Sequence, residues 1–252
     1  MKKIIKSAVN TLGFDLVRSN RSANLRDDEI AFLHIGKNAG TQVMHVAAKL
    51  KDYGINIRKF GHRIRLSQLP NDAKYFFSIR RPESRFLSGF YSRKRKGQPR
   101  IYSEWSEHEA VAFSLFKDAN DLAENLFSKG DIGKKARMAI KSISHTGMQQ
   151  VDWFQRCAFI DQRPPLTIIR QENFASDMQR LLNLLNLDVD VTPMITKDKV
   201  SAHKNEYNET PPLSDRALEN LREWYVQDCY FYEMCEDFLQ REVGTDPVLA
   251  SK

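Results

Sequence analysis

Residues 29–51 read EIAFLHIGKNAGTQVMHVAAKLK, and the apolar period changes within them. Residues 30–35 are a short apolar run, which predicts a strand. From Gly40 onward Val43, Met44, Val46, Ala47 and Leu50 recur at helical spacing. Between the two lies GKNAGT, residues 36–41, with small residues, one lysine and one hydroxyl. Residues 53–60 predict a second strand with Ile55, Ile57 and Phe60 on one face. Residues 74–79, KYFFSI, are nearly all apolar and predict a third strand covered on both faces. Pro82 suits a first helical turn, and Phe86, Leu87, Phe90 and Tyr91 then keep helical spacing. Helices are predicted over 104–116, 119–127 and 133–144, and a fourth strand over 166–170. A helix over 174–187 carries Leu181, Leu182, Leu184 and Leu185 on its core face. Ser214 caps a final helix whose Leu218, Leu221, Trp224, Tyr225, Tyr230 and Phe231 face the body.

Strands alternating with helices predict an α/β fold. The expectation is a P-loop NTPase-like, three-layer α/β/α core with a central, mostly parallel sheet and a helical insertion at about 101–150. Residues 29–243 form one domain. Ahead of it a basic amphipathic helix is predicted over 1–18, with Ile4, Ile5, Ala8, Val9 and Leu12 on one face and Lys2, Lys3 and Lys6 near its start. That helix has two readings, peripheral contact with a membrane surface or docking on the body. A polar linker is predicted over 19–28 and a disordered tail over 244–252. No stretch reaches transmembrane length. The formal charge of +7 over 252 residues points to an anionic partner. Three cysteines without C-x-x-C spacing argue against a disulfide framework or structural zinc, and fit a reducing, cytoplasmic compartment.

A strand that turns through small residues into a helix aims backbone N–H groups at one point, and the helix dipole adds positive charge there. Residues 36–41 therefore predict a phosphate cradle, to which Lys37 adds a charge and Thr41 a hydroxyl. The lysine precedes the second glycine, so the Walker A pattern is not matched. An ordinary βα turn with an exposed lysine is the bland alternative. The third strand runs straight into RRPESRFLS at 80–88. Arg80 at the strand end, Arg85 near the helix start and Ser88 along the helix predict a second anion site. His62 follows the second strand, where open α/β sheets build their sites; a plain surface histidine is the alternative. No H-E-x-x-H and no carboxylate cluster of metal-ligand spacing occurs, so no metal is expected.

These segments resemble sulfotransferases that use 3′-phosphoadenosine 5′-phosphosulfate (PAPS). HIGKNAGT at 34–41 is similar to their H-I-P-K-T-G-G-T loop, and RRPESRFLS to their R-D-P-x-x-R-x-x-S element. The likeness is closest to the branch acting on carbohydrate hydroxyls, which includes uronyl 2-O-sulfotransferases. It covers residues 29–95 well and the rest loosely, through LTIIRQENF at 166–174. Gly36, Asn38, Ala39 and Arg81 depart from the usual proline, threonine, glycine and aspartate. The resemblance implies PAPS as donor, held by Gly36, Lys37, Asn38, Ala39, Gly40, Thr41 and Gln42 at one end and by Arg80, Arg85 and Ser88 at its 3′-phosphate. It implies His62 as catalytic base.

The sulfuryl group would then pass in line to a carbohydrate hydroxyl. Neutral His62 takes the proton. Lys37 and the amides of Gly40 and Thr41 stabilise the leaving phosphate. The transferred group carries one negative charge, so no metal clamp is needed. Arg93, in a basic run over 93–100, and His145, in a segment over 145–150, are candidates to face the glycan acceptor, and His145 is a lesser candidate for the base; a solvated charged face and a loop histidine without a role are the bland alternatives. Aromatics at helical core spacing, not interleaved with basic residues, argue against a nucleic-acid partner. Two other readings stay open. One is a P-loop-type kinase, which needs magnesium ligands; the other is a non-catalytic nucleotide or polyanion binder.

Overall fold

The computed structural model describes residues 23–99, 101–154, 159–196 and 210–245. The expected helix over 1–18, the first part of the linker and the end of the tail lie outside the described residues. Four strands, β1 (Glu29–Leu33), β2 (Asn56–Phe60), β3 (Tyr75–Ile79) and β4 (Ile168–Arg170), pair in parallel in the order β2-β1-β3-β4. Leu33 lies opposite both Phe60 and Phe77. Every residue of β3 is buried, as a nearly continuous apolar strand requires.

Side chains alternate across the sheet and build two apolar layers. One layer joins Ile30, Phe32, Phe76 and Ile169 to α1 (Gly40–Leu50) and α7 (Phe174–Leu184). The other joins Leu33, Phe77, Ile79 and Ile168 to Trp153, Phe154 and α9 (Val226–Thr245). Helices thus cover both faces, an α/β/α arrangement. A third cluster unites α2 (Pro82–Lys94) with α3 (Glu107–Leu115), α4 (Ala119–Glu124), α5 (Gly130–Ser142) and α8 (Asp215–Trp224). The insertion therefore shares its core with the body. A short α6 (Phe159–Gln162) precedes β4.

Several expectations are corrected. β2 starts only at Asn56, because residues 51–53 close a 3₁₀ turn and Gly54 follows at φ 76°. Ile57 and Phe60 do not share a face; three residues apart on a strand, they fall into opposite apolar layers. The final helix is two, α8 and α9, separated at Tyr225, and Tyr230 stands 67% exposed. Leu184 is also exposed rather than core. Ala23 and Leu25, expected in the linker, pack against the body. The Ser214 cap forms, its Oγ accepting from the Ala217 N–H at 3.1 Å. Among the described residues no helix is long and apolar enough to cross a membrane.

The strand order places a crevice. The chain leaves β1 toward β2 on one side, and leaves β3 toward β4 on the other. Their carboxyl ends are neighbours whose connections diverge, the usual position for a ligand in an open parallel sheet. Residues 34–40 and 80–82 meet there.

Candidate functional site

The loop after β1 is folded tightly. Lys37 and Ala39 sit in the left-handed region at φ 71° and 56°. Each such residue costs about 1–2 kcal/mol against its ordinary conformation. The turn they make delivers the chain to α1, whose first N–H groups have no carbonyl partner within the helix. Gly40 admits no side chain, since a Cβ there would lie 2.0 Å from His34 Nε2. His34 fills the space beneath the loop, 8% exposed, with a buried and unpartnered Nδ1.

A buried polar network ties this loop to the end of β3. Asn38 Nδ2 donates to the Ser78 carbonyl at 2.9 Å and to Gln150 Oε1 at 2.7 Å. Ser78 Oγ donates back to the Asn38 carbonyl at 2.5 Å. Arg85 is buried on α2, with Nε donating to the Gly36 carbonyl at 3.0 Å and Nη1 to the Met148 carbonyl at 2.8 Å. Asp228 on α9 accepts the N–H groups of Gln150 and Val151. Burial raises its pKa, against the opposing pull of Arg85 and of those two N–H groups.

Lys37 holds the charge at the centre. Burial, followed by the positive charges of Arg80, Arg95 and Arg85, brings its pKa down to about 8, and among the described residues no carboxylate acts on it. Three imidazoles line the same loop. His34 and His62 have ring centroids 4.3 Å apart, and His62 and His145 5.8 Å apart. His62 Nδ1 lies 3.3 Å from the His34 carbonyl, which can only accept. The neutral tautomer with hydrogen on Nδ1 leaves Nε2 with a lone pair, the form of a general base. Desolvation lowers the His62 pKa and the carbonyl bond works the other way; Lys59, Arg85 and Lys37 lower it further. Burial first, and then neighbouring positive groups, hold His34 and His145 at about 3.

His145 has φ 75°, uncommon for a side chain of its size. Its segment is anchored from several directions. Tyr225 Oη donates to the Thr146 carbonyl at 2.6 Å, and Thr146 Oγ1 caps the end of α5 through the Ile140 and Ile143 carbonyls. The Ser144 N–H donates to Glu109 at 3.0 Å. A Cβ on Gly36 would lie 3.0 Å from His145 Nδ1 and 3.5 Å from His62 Cε1. Both rings therefore stand beside the glycine that opens the loop.

Gly36, Lys37, Ala39, Gly40, Arg80, Arg85, His62 and His145 are thus brought to one crevice, with Thr41 half-buried in the first turn of α1. Other predicted residues are employed differently. The Asn38 side chain is wholly buried and turned inward, bonded to Ser78 and Gln150. Gln42 donates to the Thr196 carbonyl at 3.1 Å, tying α1 to the segment after α7. Ser88 is buried on α2. Arg93 does not stand free for an acceptor. Its fork grips Glu109 at 2.6 and 2.8 Å, and that carboxylate links it to the His145 segment. The Arg81 N–H bonds Glu172 at 2.9 Å, so a carboxylate lies at this corner although position 81 lacks one. Sequence reasoning missed Asp228, saw His34 and Gln150 only as members of longer segments with no role of their own, and saw Arg95 only within a charge run. Among the described residues no group of three or more His, Cys, Asp or Glu is arranged to hold a metal.

A scan against protein-family models finds no match to the chain, and searches of curated proteins and of solved structures return none that is significantly similar.

Proposed function

We propose that the chain is a P-loop-like sulfotransferase that moves a sulfuryl group from PAPS to a carbohydrate hydroxyl. One observation carries this reading. Two strand-to-helix turns, each at a strand's carboxyl end, meet at the switch point around a lysine with no carboxylate counter-charge among the described residues, beside an imidazole whose pKa is lowered. A donor with a 5′-phosphosulfate and a 3′-phosphate carries negative charge at both ends. Residues 36–41 and Lys37 would take the first, and Arg80 with the start of α2 the second. The positive groups gathered at this crevice favour a donor that brings negative charge.

In the transfer, Nε2 of His62 takes the acceptor's proton, and Lys37 with the α1 amides stabilises the charge growing on the departing phosphate oxygen. His145, beside His62 at Gly36, faces the same space and would contact the acceptor. A cytoplasmic protein with peripheral membrane contact through residues 1–18 fits the reading, with a glycan as acceptor. The test is transfer of labelled sulfuryl from PAPS to glycans in the presence of a magnesium chelator. Label should appear in the wild type and be lost in His62→Ala. Transfer that persists in His62→Ala removes it as base, and magnesium-dependent transfer of phosphate from ATP replaces the class.

A further inference from the structure

We propose that Gln150 is a positioning residue that locks the two anion-binding loops into one register, so that a ligand reaching both is favoured over a ligand reaching one. The identity of that ligand rests on the reading above; the geometry does not.

A glutamine amide offers two acceptor sites and two N–H donors. Gln150 uses both kinds while wholly buried. Its Oε1 accepts from Asn38 Nδ2 at 2.7 Å and from the Arg80 N–H at 3.0 Å. Its Nε2 donates to the Arg80 carbonyl at 2.8 Å. The two bonds to Arg80 imitate a strand rung just past the end of β3. The bond to Asn38 reaches the middle of the loop after β1. The β1–β3 ladder itself stops at Leu33 and Phe77, so beyond that rung the loops have no sheet to align them.

The amide is itself held. The Gln150 N–H donates to Asp228 Oδ2 at 2.8 Å and the Val151 N–H to Oδ1 at 3.0 Å. Asn38, Ser78, Gln150 and Asp228 are each fully buried. In a buried network of this kind each further lost partner leaves another polar group unpaired, as Asn38 Oδ1 already is, so the members resist displacement. Rigidity matters to a ligand with two anionic groups. Its second contact is favoured in proportion to how well the first fixes the distance and angle. A ligand with one anionic group gains nothing from that alignment.

The test compares wild type, Gln150→Met and Gln150→Glu. Methionine keeps the reach and removes all three side-chain bonds. Glutamate keeps the acceptor oxygen and loses the donor. Affinities for 3′-phosphoadenosine 5′-phosphate and for AMP are measured by calorimetry, and amide hydrogen exchange is followed without ligand. Gln150→Met should reduce the preference for the bisphosphate by about tenfold, or roughly 1.4 kcal/mol, with Gln150→Glu in between and AMP little changed. Exchange should quicken together in 36–41 and 80–85. A merely structural role lowers both affinities by one factor and leaves the preference intact, which would overturn the proposal. So would faster exchange in one loop alone. If the wild type shows no preference for the bisphosphate, the donor reading falls, and hydrogen exchange alone then decides the coupling.

Discussion

Arg85 and Arg93 are both buried on α2, about two turns apart, in opposite surroundings. Arg93 meets a carboxylate. Glu109 grips it with two hydrogen bonds and raises its pKa. Burial would lift the Glu109 carboxyl, but the Arg93 fork and the N–H groups of Ser106 and Ser144 hold it at about 2. Arg85 hydrogen-bonds only to carbonyl oxygens among the described residues, and burial pulls its pKa down against the opposing pull of Asp228. In the insertion the fold neutralises its own charge, and the pair fastens helices together. At the switch point Lys37 lies among Arg80, Arg95 and Arg85, with no carboxylate acting on it among the described residues. Buried charge met inside the protein is scaffold. Buried charge left over where N–H groups converge is potential for an anion.

The largest expected effect lies at the switch point. His62→Ala should lower turnover by ~10²–10⁴-fold and leave nucleotide affinity unchanged, measured by steady-state transfer and calorimetry. Unchanged turnover would end the general-base role. Next come two variants that should behave oppositely. Arg93→Met strands Glu109 and should lose about 3–5 kcal/mol of stability in denaturant melts. Lys37→Met should lose ~10²–10³-fold in turnover. Its stability should hold or rise, since an uncompensated charge is removed. If both variants simply unfold, the contrast between the regions is wrong. Arg80→Ala should weaken discrimination for the 3′-phosphate by about 10–100-fold, as loss of a charged hydrogen bond would. Ser88→Ala should show a smaller version of the same loss.

The two regions should also part with pH. His34 and His145 sit at about 3 in the folded chain, below the ordinary 6.5. Unfolded imidazoles take protons that the folded ones refuse. Stability is therefore full above 6.5 and falls as pH drops toward 3. Glu109 is held at about 2 against 4.5, so its contribution is present above 4.5 and is lost below it. Denaturant midpoints against pH should show the first loss shrinking with saturating phosphate, which favours the protonated rings. The second should ignore phosphate. A phosphate-insensitive profile throughout would place no anion at the histidines. The smallest effect is expected from Ala39→Gly. Relief of its positive φ, offset by unfolded-chain entropy, should add roughly 0.5–1 kcal/mol. A loss would mean that the alanine methyl packs usefully.

The first βα unit was legible because the apolar period changes at the loop, and β3 because five residues are buried without interruption. The crevice followed from those two strand ends. Other features carried no local signal. Gln150 lies 112 positions from the Asn38 it bonds, and a single polar residue has no period to reveal it. His34 reads as the end of a strand until its ring is seen beneath Gly40. The break at Tyr225 is hidden because apolar residues keep helical spacing across it. Arg85 and Arg93 cannot be told apart as letters. Whether a guanidinium finds a carboxylate or a carbonyl is decided by the distant segment that packs on it.

The most direct test is calorimetric titration of the wild-type protein, free of magnesium, with 3′-phosphoadenosine 5′-phosphate and then with AMP. The account expects the bisphosphate to bind at least about tenfold more tightly, a difference of roughly 1.4 kcal/mol, with metal making no difference. Equal affinity for the two nucleotides, or binding that appears only with ATP and magnesium, would contradict it.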